Sequence, residues 1–146
     1  MSKSKLHNFF RLSATDMFYF FVALYFSVLY WICTRLLPYS VWKNILGTAT
    51  KTGTPSLKEQ EKSKFRTVII AVNRCSRHVP FARNCLIKAL TTRKILRMKG
   101  IKSTLCLGLN NENKKLLTAH AWVKIGPDLT IGESKNENFI VVVMYK

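Results

Sequence analysis

VPFARNCLIKALTTRKILRMKG runs from Val79 to Gly100 and switches from one backbone habit to another. Pro80 disfavours helical backbone at Val79, so the approach is extended. After Asn84, the residues Cys85, Leu86, Ile87, Ala89, Leu90, Ile95, Leu96 and Met98 recur among basic and hydroxyl residues. That spacing predicts an amphipathic helix, with Gly100 as its C-terminal stop. Cys85 then falls on the first turn. Unpaired backbone N–H groups and the helix dipole favour an anion there, and hence a reactive thiolate. Basic Arg83 and Lys88 push the same way. A cysteine at a helix start is also a common apolar filler, and this stretch alone leaves both readings open.

LLTAHAWVKI, Leu116 to Ile125, adds the second half of a constellation. Alternation puts Leu117, Ala119, Ala121, Val123 and Ile125 on one face of a strand, and Thr118, His120, Trp122 and Lys124 on the other. A helix-start cysteine followed by a strand histidine is the minimum for a cysteine nucleophile with its general base. An orienting carboxylate must come from Asp128, Glu133 or Glu137, the acids C-terminal to His120. With Gly126-Pro127 at the tip of a hairpin, Glu133 returns roughly opposite His120, while Asp128 sits in the turn. Cysteine, histidine, carboxylate on helix, strand, strand is the chain order of papain-like and transglutaminase-like enzymes.

PFARNCLIKALTTRKILRMKGIKSTLCLGL followed by AHAWVKIGPDLTIGE resembles the leader peptidase (B protein) of lasso-peptide biosynthesis, a transglutaminase-like cysteine protease family. RLLPYSVWKNILG upstream is similar to the end of that family's amino-terminal helix, so the resemblance covers nearly the whole chain. It implies an α+β fold in which a nucleophile helix packs on a small antiparallel sheet, preceded by apolar helices. The chain's own pattern divides it into a helical region over 1–47, a polar connector over 48–63 and an expected catalytic core over 64–146.

Composition bounds the partners. At 146 residues the chain forms one domain with a modest core. It carries 24 Lys and Arg against 7 Asp and Glu, a net charge of +17. Such a charge favours acidic peptides, anionic lipids or nucleic acid. No nucleic-acid motif appears, and the aromatics cluster in an apolar run instead of interleaving with the bases. Cys33, Cys75, Cys85 and Cys106 have no C-x-x-C spacing, which argues against a zinc ribbon. All but Cys85 read as structural thiols of a reducing compartment. No Gly-rich phosphate cradle is present, so the chain itself is not expected to bind ATP, and no cofactor or metal is expected.

In chain order, Met1 to Arg11 is a short basic lead. Ser13 or Thr15 with Asp16 starts a helix, and MFYFFVALYFSVLYWICT, Met17 to Thr34, is uncharged. That length is close to the minimum for a membrane span. Its aromatic density suits an interface or a protein surface equally. We expect a cytoplasmic protein that associates with the membrane through this helix. No A-x-A-like cleavage site follows it. Tyr39 to Gly47 reads as a second short helix and Thr48 to Ser63 as a connector. Lys64 to His78 reads as a helix whose Arg74, Arg77 and His78 form a solvated basic face or a grip on an acidic leader. Ser103 to Leu109 is a first strand, NNENKK a hairpin loop, Leu129 to Glu133 the strand after His120, and FIVVVMY, Phe139 to Tyr145, a final buried strand.

The resemblance implies a catalytic set of Cys85, His120 and Glu133, with Asp128 as the rival third member. The family usually has an aspartate there, and Glu133 stands at the corresponding place one residue further on. Trp122 shields the pair, with Asn84 and Arg83 beside the nucleophile for substrate. The implied activity is removal of a leader from a ribosomally made precursor, after which a separate ATP-dependent lasso cyclase closes the core. No region resembles the family's winged-helix recognition element, so a separate leader-recognition protein is expected, with a membrane or transporter as a further partner. Two other readings stay open. A transglutaminase-like amide or acyl transferase shares the acyl-enzyme step. A non-enzymatic basic membrane-associated protein would use Cys85 and His120 only for packing.

Overall fold

The computed structural model describes residues 13–51, 58–110, 118–126, 129–132 and 139–146. Helix α1, Ala14–Leu36, starts where Ser13 Oγ accepts from Thr15 N at 3.4 Å, and stops ahead of Pro38. A one-turn helix α2, Tyr39–Trp42, runs into a 3-10 turn, Lys43–Leu46. Strand β1, Ala49–Thr50, follows inside the stretch expected to be only connector. Helix α3 covers Glu59–His78 and so begins five residues before the expected Lys64. The reason is local: Glu61 Oε2 reaches back to Lys58 N at 2.9 Å and caps the first turn.

At the other end of α3, Val79 N still donates to Cys75 O at 2.9 Å. Val79 itself is extended, as Pro80 requires. A 3-10 turn, Pro80–Arg83, then delivers the chain to α4, Cys85–Met98, with Gly100 at φ 79 behind it. Strands β2 (Thr104–Asn110), β3 (Thr118–Ile125), β4 (Leu129–Ile131) and β5 (Ile140–Tyr145) complete the chain. The five strands pair antiparallel in the order β1-β5-β2-β3-β4.

Helices α1, α3 and α4 share one core with the sheet. Phe20, Ala23, Ser27 and Tyr30 line the buried face of α1; Val68, Val72 and Cys75 come from α3, and Ile95 and Leu96 from α4. Leu105 and Val123 of the sheet close it from below. Full burial of each such aliphatic side chain contributes about 1.5–3 kcal/mol. A small polar node sits inside, where Ser27 Oγ lies 3.3 Å from Thr91 Oγ1 and the Cys75 thiol points at Ser27 Oγ. Arg93 is also buried, and both its terminal nitrogens donate to the carbonyls of Ile45 and Leu46.

The final strand differs from expectation. Ile140 is 76 % exposed and Val142 56 %. β1 pairs only with Met144 and Tyr145, so among the described residues no strand flanks the first half of β5 on that side. Continuous apolar sequence there signals β-propensity, not burial.

Candidate active site

The site is built at the start of α4. Asn84 is its N-cap, and Asn84 Oδ1 accepts from Leu86 N at 3.0 Å and from Ile87 N at 3.3 Å. Two of the orphan N–H groups are thereby satisfied. The Cys85 N–H, on the first helical residue, takes part in no hydrogen bond among the described residues. Arg83 braces the approach: its Nε donates to Ser76 O and its Nη2 to Arg77 O, each at 3.2 Å, which ties the turn to the C-terminal carbonyls of α3. Behind the turn, Phe81 packs its ring 5.4 Å from that of Trp31 on α1. The loop leading into Cys85 is therefore held from both sides.

His120 comes from β3, directly opposite Gly108 of β2. Cys85 and His120 line one cavity of about 130 Å³, together with Arg83, Lys88, Thr92, Ile131 and Gly132. A larger cavity of about 550 Å³ lies at the far end of α4 among Arg93, Arg97, Lys102 and Ser103; it holds no thiol or imidazole, so size does not locate the chemistry here.

His120 is held on three sides. Its Nε2 lies 2.5 Å from the carbonyl oxygen of Gly132. A carbonyl only accepts, so Nε2 carries the proton and Nδ1 is the basic nitrogen of the neutral ring. Trp122 stacks 6.0 Å away at 22°, and Phe139 stacks 5.0 Å away at 29°. The indole, almost fully buried, occupies space that only a glycine at 108 leaves open. A Cβ there would lie 2.5 Å from Trp122 Cη2 and 2.9 Å from Ile140 O. The ladder between β2 and β5 also slips its register at Leu107/Gly108, a bulge beside the histidine.

Cys85, His120 and Arg83 are thus brought to one cavity, and Trp122 lies against the imidazole. Asn84 turns its carbonyl oxygen to the helix as a cap. Glu133 and Asp128 lie outside the described residues. Several positions gave no clear sign in the sequence. Phe139 reads as strand, and the Gly132 acceptor is a main-chain atom. Gly108 did carry a signal, an isolated glycine within a strand pattern, which marks close approach. Among the described residues no group of three His, Cys, Asp or Glu side chains is placed to hold a metal.

Burial pushes the Lys88 ammonium down from its ordinary value, with Arg77 adding to the effect. Burial pushes the Cys75 thiol up, the Ser27 hydroxyl opposing. None of the four cysteines is in a disulfide.

No match was found among curated proteins or solved structures. A family model described as the transglutaminase-like superfamily matches residues 28–144, from the last turns of α1 to the penultimate residue of β5. With most of its length matched and with helices packed on an antiparallel sheet, the chain belongs to the transglutaminase-like superfamily, whose chemistry is compatible with a cysteine peptidase or an acyltransferase.

Proposed function

We propose that the protein is a cysteine peptidase that removes the leader from a ribosomally made lasso-peptide precursor. The observation that carries the proposal is the meeting of Cys85 and His120 in one cavity, on the first turn of a helix and on a facing strand. The Cys85 thiolate attacks the scissile carbonyl carbon, forming a C–S bond as the carbonyl becomes an oxyanion. The Cys85 N–H, which makes no hydrogen bond among the described residues, is the first donor to that oxygen. Collapse breaks the C–N bond, and imidazolium at His120 protonates the departing amine of the core peptide. Water, deprotonated by His120, then attacks the thioester and releases the leader as a carboxylate. The Gly132 carbonyl holds the imidazole, Glu133 is the proposed carboxylate beside it with Asp128 as the alternative, and Trp122 and Phe139 keep water from its faces.

A separate leader-recognition protein and an ATP-dependent cyclase are the proposed partners. The cell compartment is the cytoplasm, at the membrane surface. α1 is long and apolar enough to cross a bilayer, yet one of its faces is buried against α3 and α4. The other face presents Phe18, Phe21, Tyr25, Leu29, Ile32 and Leu36 to solvent. Lys99 Nζ stands 4.0 Å over the Tyr19 ring and Lys94 Nζ 5.7 Å over Phe26. Crossing the bilayer would drag these charges into hydrocarbon at about 2.5–3.5 kcal/mol each. A helix lying in the interface buries its apolar stripe and leaves the lysines among anionic headgroups.

The test is leader cleavage followed by mass spectrometry, with the precursor and recognition protein present. Cleavage at one bond, lost in Cys85→Ala and in His120→Ala, is the expected result. Survival of cleavage in Cys85→Ala would overturn the peptidase reading. The superfamily also favours acyl transfer to an amine, so an added primary amine that replaces water in the product would reassign the enzyme as a transferase.

A further inference from the structure

Lys88 follows Cys85 by three residues, one turn along α4 and on the same face. Its side chain is half-buried in the wall of the Cys85–His120 cavity. The ammonium makes no hydrogen bond or ion pair among the described residues. Arg77, at the end of α3, is close enough to disfavour the charge on Lys88. Arg83 forms another part of the same wall, and its two hydrogen bonds go to neutral carbonyls. Further back on α3, Arg74 buries Nη1 without a partner.

Among the described side chains, counter-charge is remote. The described acidic side chains are those of Asp16 and Glu61, each on the first turn of its helix. At 1.5 Å per residue, Glu61 is about 24 Å from Arg77 along α3, well beyond a screening length of about 8 Å. Like charges kept together in a partly desolvated wall disfavour one another in the free protein. A bound anion relieves both the desolvation and the repulsion.

We propose that Lys88, with Arg83 and Arg77, forms a cationic subsite beside Cys85 that takes an acidic side chain of the bound peptide. This rests on Cys85 as the nucleophile, and it adds a substrate class: peptides with Asp or Glu close to the scissile bond. Lys88 and Arg83 donate to the carboxylate, while Arg77 acts through its field. A charged hydrogen-bonded pair at such a site is worth about tenfold in recognition.

Two alkylating reagents test the subsite without a peptide. Iodoacetate and iodoacetamide both transfer a carbon to the thiolate sulfur and release iodide, and they differ in that one carries a carboxylate. Rates at Cys85 are read by peptide mapping in about 0.3 M salt, which screens the distant charges. The iodoacetate-to-iodoacetamide ratio is expected to fall about tenfold in Lys88→Met and to be retained in Lys88→Arg. Removing one of 24 basic residues barely alters the general field, so a ratio in Lys88→Met within twofold of wild type overturns the subsite. The iodoacetamide rate by itself reports on the nucleophile. A Cys85 no faster than buried Cys106 would sink the peptidase reading while the ratio still reports on the subsite. Lys88→Arg guards against loss of folding in Lys88→Met. In the cleavage assay, changing the precursor's acidic residue nearest the cut to its amide should lower kcat/KM about tenfold in wild type and leave Lys88→Met indifferent; equal losses in both enzymes count against the subsite.

Discussion

His120 Nε2 lies 2.5 Å from the main-chain carbonyl of Gly132, so the imidazole tautomer is fixed by an atom that no side-chain substitution removes. In a triad whose tautomer depends on the carboxylate, neutralising that carboxylate costs about 10⁴ in kcat. Here the carbonyl already selects Nε2–H. Glu133→Gln is therefore expected to lower kcat by only about 10–100-fold, His120→Ala by at least about 10³, and Asp128→Asn by less than about twofold. The leader-cleavage assay measures all three. A Glu133→Gln loss as deep as that of His120→Ala would mean that the carboxylate, not the carbonyl, sets the ring.

Gly108 and Trp122 form a second such dependence. A methyl at position 108 would press on Cη2 and Cζ3 of the indole at 2.5 and 2.8 Å. The backbone oxygen of Ile140 closes the other side, so the ring must yield. Overpacking of this kind costs about 1–3 kcal/mol, and the indole cannot move without disturbing the imidazole stacked on it. Gly108→Ala is expected to stay folded by far-UV circular dichroism, lose its near-UV tryptophan signal and drop kcat about tenfold or more. Unchanged activity would show that the stack does not position His120.

How much of this was legible in the sequence follows from where each signal resides. The α4 start was readable because Pro80, Asn84 and Gly100 each impose a backbone conformation through their own chemistry. The His120 strand was readable from simple alternation, and the resemblance in the PFARNC and AHAWV stretches led to the superfamily that the chain matches. The early start of α3 was missed because its cap comes from Glu61 reaching back over a basic, polar segment that resembles a linker. The exposure of β5 was missed because apolarity reports propensity, while burial depends on the two-residue length of β1. The Gly132 acceptor has no residue-type signature at all.

The cysteines should separate by chemistry and by pH. Cys75 is 1 % exposed, and burial pushes its thiol up. Iodoacetamide at pH 7.5 is expected to modify Cys85 well before Cys75. For stability the sign follows from the same shift. Burial also pushes the Tyr30 phenol up, although Arg93 pulls it back. Both groups hold their protons more tightly when folded, so their contribution is complete below the ordinary values. It declines as pH rises past about 8.5 for the thiol and about 10 for the phenol. Urea midpoints between pH 7 and 10.5 should fall more steeply in wild type than in Tyr30→Phe or Cys75→Ala. Parallel slopes would show that neither group is linked to unfolding.

The apolar helix gives the last prediction, since hydropathy and packing point to different membrane geometries. Tyr25 is 63 % exposed and Leu36 76 %, on the face of α1 turned away from α3 and α4. Ser27, on the opposite face, is held in the core by Thr91 and Cys75. A spanning α1 would have to give up that packing and expose the core it covers. A surface-lying α1 keeps it. The full chain is expected to sediment with vesicles containing anionic phosphatidylglycerol and much less with neutral phosphatidylcholine, each lysine near the surface adding about 1 kcal/mol. Phe21→Glu with Ile32→Glu should abolish sedimentation while leaving the fold intact, because neither side chain is in the core. Bound protein should be released by alkaline carbonate and should keep Lys94 and Lys99 open to a water-soluble acylating reagent. Carbonate resistance with both lysines protected would mean that α1 crosses the bilayer, and the packing seen against α3 and α4 would then have to open on insertion.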